Sequence, residues 1–200
     1  MKLYSYVIQH DFGHAPNPYW RFCTLARCKC REEPRQRANI VELADVGDWI
    51  VGTGGADHRK SAGHRNMIYA MKVEEKIRLG RYWSNQRFKD KKPLTNGDYA
   101  QRRGDNKRPK SPFEENERYA LVAWDEYYYF GNHAIQIPPE FRALEKRGPG
   151  FKKTFTPEFI GQFLHWLKRN YKPGKHGEPC GQEFLSSTEG KNLKTCKPSC

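Results

Sequence analysis

The chain has 200 residues, a length that suits one domain and buries an adequate core. Aromatic residues make up 14% of it, which argues against a disordered polymer. Lys and Arg number 36 against 23 Asp and Glu, and the net charge of +13 favours a polyanionic partner such as nucleic acid. No apolar run approaches the length of a membrane span, and the first ten residues lack the apolar stretch of a signal peptide. A cytoplasmic protein is therefore expected.

Leu3 to Ile8 reads as a β-strand. The next segment, from His10 to Leu25, cannot continue it, because Gly13, Pro16, Asn17 and Pro18 punctuate it as a loop. Yet it carries two His, an Asp, an Asn, a Cys, a Thr and large aromatics, and functional groups tend to sit on loops held by a rigid scaffold. Cys23 to Ala26 is a second short strand, and Arg31 to Arg37 a charged loop. Gly47-Asp48 supplies a turn, Trp49 to Val51 a strand, and the glycines to Gly54 its exit. Met67 to Val73 is another strand. Glu74 to Gly80 is expected to form a short helix closed by Gly80.

Residues 76–110 hold twelve basic and three acidic side chains. The stretch 76–118 reads as a loop-rich basic insertion anchored by Trp83 and Phe88, and long connections of this kind are often functional. Tyr119 to Trp124, Tyr127 to Phe130, and Ile135 with Ile137 are β-prone. Pro138 to Lys146 suits a short helix. Thr156 to Asn170 is the clearest helix, with Thr156 as N-cap, Pro157 behind it, and Phe159, Ile160, Phe163, Trp166 and Leu167 on one face. Residues 171–200 read as a loose tail. The expected architecture is α+β: a small mixed or antiparallel β-barrel with two or three packing helices, in one domain over residues 1–180, followed by a tail from 181.

Six cysteines are present, Cys23, Cys28, Cys30, Cys180, Cys196 and Cys200, and free thiols are expected in a cytoplasmic chain. Their spacing is not that of paired C-x2-C units, so no metal is assigned, although Cys28, Cys30, Cys196 and Cys200 could in principle assemble a zinc site. There is no P-loop and no G-x-G-x-x-G after a strand, which disfavours ATP-driven or Rossmann-type chemistry. The His, Glu and Cys spacing of a zinc deaminase is also missing.

The opening Tyr4-Ser5-Tyr6-Val7-Ile8-Gln9-His10-Asp11-x-Gly13-x-Ala15-Pro16-Asn17-Pro18, followed by Cys23-Thr24-Leu25-Ala26, resembles the second nucleotide modification associated domain family. So do Gly47 to Gly54, Tyr69 to Val73, Tyr128-Tyr129-Phe130-Gly131 and Gly174-x-x-Gly177-x-Pro179, in that order over roughly residues 1–180. The family occurs in phage and bacterial genomes. The resemblance implies modification of a nucleotide or a DNA base, in a bacterial or phage-infected cell, without naming a reaction. One departure is that Lys107-Arg108 follows Gly104-Asp105-Asn106, where members often have an Ile-Tyr-like pair. A looser likeness, over about two strands, is to the EVE and ASCH members of the PUA-like barrels, whose strand pair flanks a base pocket.

The candidate catalytic residues are Asp11, His10, Asn17 and Cys23. A thiolate attacks carbon readily when a neighbouring cation lowers its pKa, but a small buried Cys is the commoner state. His10 and Asp11 point to opposite faces if extended, so a direct dyad of the two is not expected. Asp48, Trp49, Tyr128 and Thr24 are candidates for nucleotide or base binding, with the two aromatics as stacking platforms. Arg87, Lys91, Lys92, Arg102 and Arg103 are candidates for the nucleic-acid backbone. Asp105-Asn106 reads either as a turn or as a ligand for a metal or ribose. Three functions remain open: an enzyme with a pocket built from the 10–24 loop, the Gly47–Gly54 strand and Tyr128; a PUA-like module that binds a modified base in DNA or RNA; and a small-nucleotide sensor or sponge in phage–host conflict. DNA is favoured over RNA as partner.

Overall fold

The structure is a computed structural model and describes residues 1–26, 29, 33–92 and 105–181. Its strands are β1 (Leu3–Ile8), β2 (Cys23–Ala26), β3 (Trp49–Gly54), β4 (Asn66–Lys72), β5 (Glu75–Arg78), β6 (Tyr119–Ala123), β7 (Tyr127–Tyr129), β8 (Ile135–Gln136), β9 (Phe151–Lys152) and β10 (Gly174–Lys175). The helices are α1 (Ile40–Leu43), α2 (Leu79–Ser84), α3 (Pro112–Glu117) and α4 (Pro157–Asn170), with 3-10 segments at Gln86–Lys91, Gly131–His133 and Pro139–Leu144. The fold is mixed α/β, with two sheets and few helices. The chain forms two compact units, one of residues 1–12, 50–70 and 128–200, the other of residues 13–49 and 71–127.

The first unit is built on a seven-stranded sheet in the order β10-β7-β4-β3-β1-β9, with β8 on β4. Every residue of β1 and β3 is buried, so these strands are covered on both faces and read as continuous apolar runs rather than alternating ones. Gly52 is required at the centre of β3: a Cβ there would meet Ile8 Cδ1 and the Tyr69 ring. The Tyr6 and Tyr69 hydroxyls meet at 3.0 Å in the same core. Helix α4 is capped as its sequence predicts, the Thr156 hydroxyl accepting from Phe159 N at 3.3 Å. It buries Ile160, Phe163, Leu164 and Leu167, and Phe141 of the third 3-10 segment packs against Phe159, Phe163 and Trp166 with centroids 5.5–5.8 Å apart.

The second unit is built on the antiparallel sheet β2-β6-β5, with Cys23 opposite Ala123 and Arg78 opposite Tyr119. Ala26, Ile77, Leu79, Tyr82, Phe88, Ala120 and Val122 form its core, edged by Phe22. Gly47, at φ +93°, makes the expected turn. The short helix α1 is held by a capping box, with Asn39 Oδ1 accepting from Ile40 N and Glu42 accepting from Asn39 N.

The structure differs from the sequence expectation in five places, the first being that β3 runs on through Gly52, Thr53 and Gly54, which were expected to be its exit. Neither sheet closes among the described strands, so no barrel is formed by them. Glu75 to Arg78 is a strand rather than a helix, because pairing with β6 buries Ile77 and outweighs local propensity; Gly80 lies near the start of α2, not at a helix end. The described parts of 76–118 carry β5, α2, a 3-10 segment and α3 in place of loop. Residues 171–181 are partly structured: β10 pairs parallel with β7, and His176 N donates to Tyr129 O at 2.7 Å. No helix among the described residues is long and apolar enough to cross a membrane.

Candidate functional site

The polar loop after β1 contributes to two separate clusters, one in each unit. In the first unit the chain leaves β1 with alternating direction. His10 is exposed and stacks on Phe12 at 5.7 Å, while Asp11 is 1% exposed and points inward. The Tyr129 hydroxyl donates to both carboxylate oxygens of Asp11, at 2.8 and 2.9 Å, and Cys180 N donates to one of them at 3.2 Å. The backbone is tied as well, Asp11 N to Lys60 O at 2.6 Å and Gly181 N to Asp11 O at 2.9 Å. Burial, helped by the Asp11 charge, pushes the Cys180 thiol up to about 12. Cys180 is therefore protonated at neutral pH and a weak nucleophile.

In the second unit the loop turns back on itself before β2. Asn17 pairs with Thr24 through two backbone hydrogen bonds of 2.8 and 2.9 Å, and Trp20 and Arg21 at the tip both adopt positive φ, 54° and 68°. Two adjacent bulky residues in the left-handed region are costly and need support from their surroundings. That support is Lys91. Its ammonium donates to Asn17 Oδ1 at 2.8 Å, to Asn17 O at 3.1 Å and to Phe22 O at 3.1 Å, so it bridges both ends of the turn. The Trp20 ring lies 5.7 Å from it. Lys91 is wholly buried, and burial lowers its pKa to about 8, a shift opposed by the Asp105 charge.

Asp105 stands beside this clamp. Thr24 Oγ1 donates to one carboxylate oxygen at 2.5 Å and the Tyr82 hydroxyl to the other at 2.7 Å. Burial raises the Tyr82 pKa well above the ordinary tyrosine value, and the Asp105 charge adds to it. Asn106 donates to the carbonyls of Tyr82 and Phe88 at 3.0 and 3.2 Å, and its own Oδ1 is buried with no hydrogen-bond partner among the described residues. Cys23 is fully buried at the start of β2. Asn17, Thr24, Tyr82, Lys91 and Asp105 thus come from the loop, a strand, a helix, a 3-10 segment and residue 105, and they meet in one polar network. A carboxylate, a phenol and an amine of lowered pKa in a dry environment form a set that can hold and relay a proton.

The model of the family described as nucleotide modification associated domain 2 matches residues 1–117 and 111–188, and so runs through both units. The chain belongs to the nucleotide modification associated domain 2 family. No curated protein and no solved structure matches it.

The other expected site residues of this nucleotide modification associated domain 2 protein fall as follows. Asp48 is 4% exposed and accepts from Asp45 N at 3.1 Å, as a turn residue does. Trp49 and Tyr128 are 1% and 2% exposed and lie in the cores of their strands. Arg87 grips both oxygens of Glu75 at 2.9 Å, and the Lys92 ammonium sits 4.3 Å from the Trp83 ring centre. Lys91 differs from its neighbours on the basic surface because its donors are taken up inside the loop. Arg102 and Arg103 lie outside the described residues, as do Cys28, Cys30, Cys196 and Cys200. Among the described residues, no three His, Cys, Asp or Glu side chains gather into a metal site. Sequence reasoning missed Tyr82, Tyr129 and Cys180 as site residues: Tyr129 stands only inside a family motif, Cys180 only among the cysteines, and nothing local distinguishes Tyr82. For Asp105 the signal was present, a carboxylate next to Asn in a basic stretch, but in that setting it reads as a turn before it reads as a ligand.

Proposed function

We propose that the protein takes part in the covalent modification of a nucleotide or of a base in nucleic acid, DNA before RNA. Membership of the family supports a nucleotide or nucleic acid as the class of substrate. The observation that carries the chemical part is the buried network of Asn17, Thr24, Tyr82, Lys91 and Asp105 beneath the strained Tyr19–Arg21 tip. In this reading Asp105 and Lys91, both buried, exchange a proton with the reacting group once the Tyr19–Arg21 tip opens, Thr24 and Tyr82 orient the carboxylate, and Asn17 holds the amine. Asp11, with Tyr129 and Cys180, is a second polar centre in the other unit, and His10 and Cys23 stand beside these groups in the chain. Trp49, Tyr128 and Asp48 would act on the base only if their elements opened. The protein would work in the cytoplasm of a bacterial or phage-infected cell.

The test is a nucleoside inventory. The chain is expressed in bacteria, DNA, RNA and the free nucleotide pool are digested separately, and the products are compared by mass spectrometry with those of cells lacking it. A new nucleoside mass in one fraction is expected. Identical inventories in all three would overturn the proposal.

A second reading has its own observation. Tyr19 and Trp20 are half-buried and packed 5.5 Å apart at the tip, beside the exposed Arg21, an arrangement suited to binding a base without altering it. It predicts preferential binding of base-modified over plain oligonucleotide, with no product formed.

A further inference from the structure

Helix α2 separates two neighbouring depressions on the second unit. One, of about 560 Å³, is lined by residues that include Glu75, Lys76, Arg78, Arg81 and Tyr119; the other, of about 710 Å³, by residues that include Arg78, Arg81, Trp83, Arg108 and Glu115. Both volumes fall in the ~300–1,000 Å³ range of small-ligand sites. Arg78, Arg81 and Ser84 line both, so they form the ridge between them.

The charges on this surface are not equivalent. Glu75 is neutralised by Arg87, whose Nη2 donates to both carboxylate oxygens, and Lys76 is tied to the carbonyls of Glu42 and Ala44 at 2.7 and 2.8 Å and to Asp45 at 3.8 Å. Arg78 is held by Asn116 O at 2.6 Å and lies 6.0 Å from the Tyr119 ring centre, which fixes its direction and leaves donors to spare. The Arg81 and Arg108 guanidinium groups make no hydrogen bond or ion pair among the described residues, while Glu115 is the acidic side chain that remains. Each depression also has one aromatic ring at its wall, Tyr119 in the first and Trp83 in the second. Both rings are half-buried, and each has a lysine ammonium over it, Lys76 at 5.1 Å from the Tyr119 centre and Lys92 at 4.3 Å from the Trp83 centre.

We propose that these depressions are two successive nucleotide seats of a track for single-stranded nucleic acid. The phosphodiester lies on the ridge between Arg78 and Arg81, one base rests on Tyr119 and the next on Trp83, and Arg108 takes the following phosphate. An interrupted row of aromatic faces with cations between them suits unpaired bases, whose faces are open; stacked base pairs present none to the side. The track rests on the nucleic-acid reading above and deepens it by naming the strand state, yet it lies on other residues than the Asp105 network.

Fluorescence anisotropy of a labelled ten-nucleotide thymidine strand, and of the same strand in a duplex, tests this across a salt series. The single strand binds more tightly. Arg81→Gln and Arg108→Gln each flatten the slope of log K against log salt by about 0.7, the value for one lost single-strand phosphate contact. Trp83→Ala weakens binding at least about fivefold at every salt concentration with the slope unchanged, consistent with the loss of one stacked base. Arg169→Gln, which removes a charge that lines neither depression, leaves the slope as it was. Equal slopes for wild type, Arg81→Gln and Arg108→Gln, or tighter binding of the duplex, would overturn the track. Asp105→Asn separates the two ideas, since it keeps strand binding intact; loss of product in that variant bears on the modification chemistry alone.

Discussion

At the scale of single residues, burial decides what each polar group does. Lys91 was legible in the sequence only as one more positive charge in a basic stretch. Its three acceptors, from Asn17 and Phe22, lie about seventy residues away in the chain, so no local pattern announces them. The consequence can be measured. With a folded pKa of about 8 against 10.5 unfolded, the unfolded chain binds more protons between those values, so stability should rise with pH there. Denaturant titrations of wild type and Lys91→Met at pH 8 and pH 10 should show the wild type gaining on the variant as pH rises. A constant difference would contradict the assignment. Cys180 behaves in the opposite way to an activated thiol. Peptide-resolved alkylation at pH 8 should find it slow, and Asp11→Asn should speed it severalfold by removing the charge that opposes thiolate formation. His10 and Asp11 show what the sequence does carry: strand alternation alone predicts one outward and one inward, and so they stand.

Elements whose signals are local were readable. The α4 cap at Thr156, the strands β1, β3, β4 and β6, and the Gly47 turn all follow from residue type and spacing over a few positions. Helices α1 and α3 carried equally local signals, Asn39 with Glu42 and Ser111 with Pro112 and Glu114, which went unread. Strands β5 and β10 were not readable, because each exists through a partner far along the chain. Two glycines test the account of packing. Gly52→Ala would drive a methyl group into Ile8 and Tyr69, and calorimetry should show a loss of at least about 1–3 kcal/mol, the usual cost of overpacking. Gly161→Ala, on the exposed face of α4 with nothing within 4 Å, should instead stabilise by about 1 kcal/mol. If the two changes were alike, the packing of β3 described here would be wrong.

For the molecule as a whole, the family was legible because its motifs are spread in order along the chain, and its model covers all of the described residues. The candidate site was only half legible. Asp11, Asn17 and Thr24 stood out as polar groups in an early loop, but their partners Tyr129, Cys180, Lys91, Tyr82 and Asp105 are brought to them by the fold. Some of the basic residues of 76–110 fall in a buried clamp at Lys91 and others on a surface around α2, at Lys76, Arg78, Arg81 and Arg108. The central claim is that a buried carboxylate, held by Thr24 and Tyr82, serves the modification of a nucleotide or base. It is tested most directly by Asp105→Asn, a change of charge with little change of shape, in cells whose digested nucleosides are weighed by mass spectrometry. The variant should fold, by circular dichroism and thermal melting, and the new nucleoside seen with the wild-type chain should vanish. A folded Asp105→Asn protein that yields the same nucleoside in the same amount would contradict the claim.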